Sequence, residues 1–263
     1  MTRDEIIEKV AERLAHARRP FFLTGAGMGV ASGLDTFRGA GGMWRNHRPE
    51  DLSSLKGFKN DPKTVWEWYN ERIAAYLNAE PNQGHVAIAR IKETLPTTTI
   101  VTQNVDGLQE RAGADNVIEI HGSIFDLKCT GPCSNSEKVI GQIDGPFLGN
   151  QKSKEPYRHE LCGGLLRPGV VFFGDQLPRN AQADAQHESM HADVIIVAGT
   201  SAQVQPAASL ARPHDTSVML VEINPEPVMQ HKTGFVLAEG TETALPDIAF
   251  MVRDIVAKRS RGR

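Results

Sequence analysis

A chain of 263 residues is long enough for one large domain, or for a domain carrying an inserted module. Its 40% hydrophobic and 23% charged residues suit a soluble globular protein; the formal net charge is −3, and Lys and Arg are scattered apart from a short "AKRSRGR" tail, read as a frayed terminus. No apolar run approaches the ~18 residues that span a bilayer, so neither nucleic acid nor membrane is an expected partner. Three Cys argue against a disulfide framework.

The chain opens with "MTRDEIIEKVAERLAHARRP", which reads as a charged helix and not as a signal peptide. A cytoplasmic location is therefore expected, with a monomer as the default. "PFFLTGAG" follows as a buried strand running into glycines. Gly25, Gly27 and Gly29 stand directly after it, where backbone can approach a pyrophosphate and the first N–H groups of a helix attract negative charge. A purely structural turn would use the same glycines. The acidic residue expected about 20 positions on in an ordinary dinucleotide fold is not evident.

Residues about 40–84 contain no strand pattern and read as helical and aromatic-rich. Within them, "VWEWYNERIAAYL" (65–77) brings Val65, Tyr76, Tyr69, Ile73, Trp66 and Leu77 within an arc of about 120°. Arg72 lies about 60° from Tyr69, one turn along, at the edge of that arc. By spacing alone it is a snorkelling residue or a partner for a nearby carboxylate.

Next come "TTTIVTQN" and "NVIEIHG", two more strands with polar ends. Gln103, Asn104 and Asp106 follow the first, and His121 ends the second. The Asn and Asp suit a turn and helix cap. They also suit a polar constellation in which a neutral imidazole acts as general base. Residues about 126–166 are polar, rich in Gly, Pro, Ser and Lys, and hold all three Cys. "GVVFFGD", "DVIIVAGTS" and "SVMLVEINP" complete a set of six expected strands. Continuous apolar strands separated by helices predict an α/β fold with a parallel sheet covered on both faces. Ligands of such sheets bind outside the carboxyl ends of the strands.

The motifs "GAGMGVASGLDTFRG", "TQNVDGLQERAG", "IHGS", "CGGLLRPGVVFFGD", "AGTSAQVQPA" and "VEINPE", in this order over nearly the whole chain, resemble the sirtuins, NAD-dependent protein-lysine deacylases. The resemblance implies one catalytic domain over 1–263. Its Rossmann-type part would cover about 1–40, 85–125 and 167–263; a smaller module would cover about 41–84 (helical) and 126–166 (Cys-containing, zinc-binding). NAD and an acyl-lysine peptide would lie between the two parts. Gly25, Ala26, Gly27, Phe37 and Arg38 would line the NAD loop. Gln103, Asn104 and Asp106 would surround the nicotinamide and its ribose, with Asn104 catalytic. Gly199, Thr200, Ser201, Asn224 and Glu226 would hold the adenosine half. Val171 and Phe173 would lie on the segment that pairs with substrate backbone.

The implied chemistry is attack of the acyl oxygen on C1′ of the nicotinamide ribose. His121 then takes a proton from a ribose hydroxyl, and the products are nicotinamide, free lysine and O-acyl-ADP-ribose. The "TFRGAGGMW" loop and the Tyr69-x-x-Arg72 pair further resemble the class III subgroup, in which Tyr and Arg grip the carboxylate of succinyl-, malonyl- or glutaryl-lysine. Ser53 falls where a small side chain leaves room for a longer acyl group. The pattern departs at Gly29, where Ser is usual, and at Asp35, where Pro is usual. One loses a hydroxyl near the cofactor; the other leaves the loop less rigid. It departs again at the metal site: Cys129 and Cys133 form C-x3-C, while Cys162 is joined by His159 as H-x2-C. A structural Cys3His zinc site and a loop with three free thiols both stay open. So do an NAD glycohydrolase or ADP-ribosyltransferase and a catalytically weakened NAD-binding sensor.

Overall fold

The computed structural model describes residues 1–36, 48–133, 138–143, 158–228 and 234–261. The chain begins with α1 (Arg3–Ala15), started by a capping box in which Thr2 and Glu5 exchange hydrogen bonds. β1 (Pro20–Thr24) leads into a 3-10 helix (Ala26–Ser32) that stops at Gly33, whose φ is +81°. Then come α2 (Pro49–Leu52), α3 (Leu55–Asn60), α4 (Pro62–Asn78) and α5 (Gln83–Thr94). α4 starts at Asp61, whose carboxylate accepts the Thr64 N–H, followed by Pro62 where a helix can do without an N–H.

β2 (Thr99–Thr102), α6 (Leu108–Arg111), β3 (Ile118–Glu119), β4 (Asp126–Cys129), β5 (Val139–Gln142) and β6 (Leu166–Pro168) follow. The chain ends with α7 (Arg179–His191), β7 (Val194–Ala198), a 3-10 turn (Ala207–Ala211), β8 (Met219–Ile223), β9 (Phe235–Leu237) and α8 (Thr241–Arg261). No helix among the described residues is long and apolar enough to cross a membrane.

The main sheet has the order β3-β2-β1-β7-β8-β9, with every pair parallel. That is the doubly wound Rossmann-type order, in which the order of strand addition reverses between β1 and β7. Alternation along each strand feeds two cores. Phe22, Ile100, Ile196 and Val221 pack under α1, α5 and α8. Phe21, Val101, Ile195 and Leu220 face Ala185 of α7 and the 207–211 turn. A third core joins Leu52, Phe58 and the α4 residues Val65, Trp66, Trp68, Tyr69, Ile73 and Tyr76 to Ile124, Leu127, Val170 and Phe172. Beside it lies the antiparallel sheet β5-β4-β6.

Five of the six expected strands occur. The sixth does not: residues 169–175 form no strand of the main sheet, only an isolated bridge from Phe173 to Ser54. The run is apolar because Val170 and Phe172 are buried. Its backbone, however, turns at Gly174 (φ +91°), with the Phe172 N–H donating to the Asp175 carboxylate (3.1 Å). β9 escapes the sequence pattern because three residues are too few for a period. The helix over 65–77 is present, but its buried face differs from the expected arc. Leu77 is 38% exposed, because the covering core stops at Tyr76. Trp68 lies outside the arc yet is buried, with the Arg72 guanidinium over its ring.

Candidate functional site

The ends of β1 and β7 meet at the reversal point of the sheet. The Gly27 N–H donates to the Gly199 carbonyl at 2.7 Å, and the Gly25 N–H to the Ala198 carbonyl at 3.2 Å. A Cβ on Gly27 would stand 2.8 Å from the Gly199 Cα, and one on Gly199, itself at φ +63°, 2.5 Å from the Met28 nitrogen. Glycine is required at both, because two backbones touch there. Gly29 is different: its added Cβ would meet only the Leu34 side chain, at 3.3 Å.

The residues after β2 close the same edge. Gln103 Nε2 donates to the Thr24 carbonyl (3.2 Å) and to Thr200 Oγ1 (3.0 Å). Asn104, 7% exposed, donates from Nδ2 to the Gly25 carbonyl at 3.0 Å. Asp106 accepts the Leu108 N–H at 2.9 Å, and burial pushes its carboxyl up to about 6. Ala26, Gly29, Asp35, Tyr76, Asn104 and Asp106 line one cleft. Asn224 Nδ2 reaches the Thr200 carbonyl at 3.5 Å, and the exposed Glu226 donates its N–H to Asn224 Oδ1 at 3.3 Å. Ser201 follows Thr200 at the same strand end. Phe37 and Arg38 lie outside the described residues.

His121 comes just after β3. Its Nδ1 stands 3.0 Å from the Gln103 carbonyl. A carbonyl only accepts, so Nδ1 carries the proton and Nε2 the lone pair. Burial pulls the imidazole below its ordinary range, against the opposing hydrogen bond to Gln103. The His121 main-chain carbonyl accepts the Val171 N–H at 2.8 Å. Glu119, two residues earlier, is pushed up to about 8 by burial and by the nearby carboxyls of Glu110, Asp126 and Asp106.

On α4, the Tyr69 hydroxyl is 2.7 Å from the Ser53 hydroxyl in a buried contact. Burial pushes the phenol up to about 12, so it stays protonated. The Arg72 Cζ lies 3.2 Å from the Trp68 ring centroid, and Nη1 donates to the Trp68 carbonyl at 2.6 Å. The Phe173 N–H donates to the Ser53 carbonyl at 2.6 Å. Ser53 is thus more than a small side chain: its hydroxyl is hydrogen-bonded to that of Tyr69. That contact, the Trp68 platform and the Arg167–Asp175 ion pair (2.6 Å) are absent from the sequence reading. The aromatic-arginine spacing on α4 could have revealed the platform; the Ser53–Tyr69 contact joins two different elements, and the Arg167–Asp175 pair spans eight residues across a turn that no periodicity predicts.

Cys129, Cys133, His159 and Cys162 gather so that their ligand atoms all lie within 4.8 Å of one another. His159 points inward with Nδ1, 3.1 Å from the Cys133 sulfur and 3.4 Å from that of Cys162. Three thiols and an imidazole nitrogen at this spacing suit tetrahedral zinc, with no position left open for catalysis.

A doubly wound parallel sheet with glycine-closed strand ends defines the Rossmann-type class, which binds ligands at the reversal point. The Sir2 family model matches residues 25–206. NAD-dependent protein deacylase 1 of Archaeoglobus fulgidus is 44% identical over 220 residues, 83% of this chain and 86% of that protein. A mutant Sir2 homologue in complex with ADP-ribose superposes with a TM-score of 0.86 at 39% identity, covering 95% of this chain and 98% of that one. Sir2 with a deacetylated p53 peptide and 3′-O-acetyl ADP-ribose gives a TM-score of 0.81 at 28% identity, covering 95% and 98%. The chain belongs to the Sir2 family.

Proposed function

We propose that this protein is an NAD-dependent protein-lysine deacylase that prefers succinyl- and malonyl-lysine and also removes acetyl groups. The observation that carries the reading is His121. Its Nδ1–H is committed to the Gln103 carbonyl, and burial keeps the ring neutral near pH 7, so Nε2 is a poised base. NAD, when bound, supplies the ribose that receives the acyl group. Gly25, Ala26 and Gly27 would take its pyrophosphate on backbone, Asn104 and Asp106 its ribose and nicotinamide, and Thr200, Ser201, Asn224 and Glu226 its adenosine half. Gln103 braces the floor between Thr24 and Thr200. Val171 and Phe173 would flank the acyl-lysine peptide. His121 would accept a proton at Nε2 from the acceptor hydroxyl.

The acidic-acyl preference rests on α4. Arg72 offers a planar fork suited to a carboxylate and is backed by the Trp68 ring; Tyr69 adds a donor oriented by Ser53. The third core and the β5-β4-β6 sheet support a division into a Rossmann-type part and a smaller module, with zinc on Cys129, Cys133, His159 and Cys162 as a structural ion.

The test is incubation with NAD and matched acetyl-, succinyl- and malonyl-lysine peptides, followed by peptide mass. NAD-dependent loss of the acyl group, fastest for the acidic ones, is expected. Consumption of NAD with unchanged peptides would point instead to a glycohydrolase or ADP-ribosyltransferase. Inert protein that still binds NAD would point to a sensor.

A further inference from the structure

We propose that Arg167 and Asp175 are positioning residues: their ion pair, buried at Arg167 and partly buried at Asp175, shapes residues 170–175 so that this one turn holds both the His121 main chain and the Ser53 wall of the acyl pocket. The inference rests on the deacylase reading above and assigns the turn a task within it.

The pair is built with unusual completeness. Arg167 is 4% exposed. Its Nη2 donates to Asp175 Oδ2 at 2.6 Å, its Nη1 to the Val170 carbonyl at 3.0 Å, and its Cζ lies 4.3 Å from the Phe172 ring centroid. Asp175 Oδ2 also accepts the Phe172 N–H at 3.1 Å, and the Asp175 N–H returns to the Phe172 carbonyl at 2.9 Å. Burying two charges costs several kcal/mol per ion before pairing, and apolar packing can replace such a pair without loss of stability. Stability alone is thus a weak reason to have it. Direction is a better one, because a fork and a carboxylate specify angles that a ring does not.

What the pair directs is legible in the turn. Alternate N–H groups of an extended chain point the same way. Val171 and Phe173 use theirs on two separate segments: Val171 on the His121 carbonyl at 2.8 Å, Phe173 on the Ser53 carbonyl at 2.6 Å. Ser53 in turn holds the Tyr69 hydroxyl at 2.7 Å. Phe172, between them, faces the third core, 6.1 Å from the Tyr69 ring. Base and acyl reader are therefore set by a single turn, and the ion pair sets the turn.

The experiment compares Asp175→Asn, Asp175→Glu and Arg167→Lys with the wild type in four readouts. These are kcat, KM for NAD, melting temperature, and amide hydrogen exchange at Val171 and Phe173. Asn keeps one oxygen that can accept the Phe172 N–H, while the charge is removed and the second oxygen becomes a donor NH2. Asp175→Asn should lower kcat by about tenfold to a hundredfold and leave KM for NAD within about twofold. Exchange at both amides should quicken, and Asp175→Glu should recover much of the loss. Faster exchange with unchanged kcat would overturn the proposal. So would parallel losses of kcat and melting temperature with Glu no better than Asn, since that is what a purely structural pair would do. A wild type without NAD-dependent turnover would refute the deacylase reading instead. The exchange measurement then judges the clasp alone, and unaltered protection in Asp175→Asn sinks it.

Discussion

At the scale of single residues, the proposed chemistry turns on which atom of His121 is basic. The Gln103 carbonyl decides this, and burial decides the charge. Replacing His121 by Tyr should abolish acyl removal, since a positioned base contributes roughly 10²–10⁴-fold, while NAD binding by calorimetry should survive. In the proposed mechanism the neutral form of His121 is the active one, and burial lowers its pKa. The acid limb of kcat/KM should therefore fall at a pH below 6.5, the ordinary histidine value. A limb at or above that value would assign the titration to another group. Arg72→Met should cut kcat/KM for succinyl- and malonyl-lysine roughly tenfold to a hundredfold, the worth of a hydrogen bond to a charged group. Acetyl-lysine removal should change little. Equal losses on all three peptides would remove Arg72 from substrate recognition.

At the scale of elements, α4 and the β5-β4-β6 sheet decide how the smaller core is held. α4 brings six buried side chains, four of them aromatic, into that core. The Cys129, Cys133, His159, Cys162 cluster ties β4 to the segment before β6. Such a cluster acts as a local staple, because metal binding free energy is folding free energy. Elemental analysis of the purified protein should give one zinc per chain. Cys162→Ser or chelation should lower that content and the melting temperature, with quicker amide exchange in β4 and β6. A protein free of zinc and indifferent to chelators would leave the loop with three plain thiols.

At the scale of the whole molecule, buried titratable groups pull stability in opposite directions with pH. His85, 2% exposed at the start of α5, is pushed down to about 4 by burial. The folded state resists its protonation. Its contribution is present above about 6.5 and is lost as pH falls toward 4. Glu119 and Asp106 act oppositely. Burial raises Glu119 to about 8 and Asp106 to about 6, so the folded state holds protons the unfolded chain has released. Their contribution is present at low pH and is lost as pH rises through those values. His85→Gln should therefore raise the melting temperature at pH 4.5 relative to that at pH 6.5, compared with the wild type. Gln at this position can still accept the Asn82 N–H that His85 Nδ1 now takes at 3.3 Å. An unchanged slope would place the acid sensitivity elsewhere.

The sequence by itself determined the class. Apolar strands ending in Gly, Asn, His and Thr dictate a parallel sheet with a polar carboxyl edge, and five of six strands lie where the pattern put them, because periodicity and strand-end chemistry are local. The Tyr69-x-x-Arg72 spacing on α4 was legible too, but by itself it read only as a boundary arginine beside an apolar face; the acyl-binding role proposed for it comes from the family resemblance. Tertiary structure alone decided the rest. The apolar run 169–175 became a turn because Arg167, Gly174 and Asp175 reshape it. Trp68, outside the expected apolar arc, was buried in the third core with the Arg72 guanidinium over its ring. Ser53 met Tyr69 across sixteen residues of chain. Each of these depends on burial against the third core, and desolvation of that kind does not exist until the chain has closed.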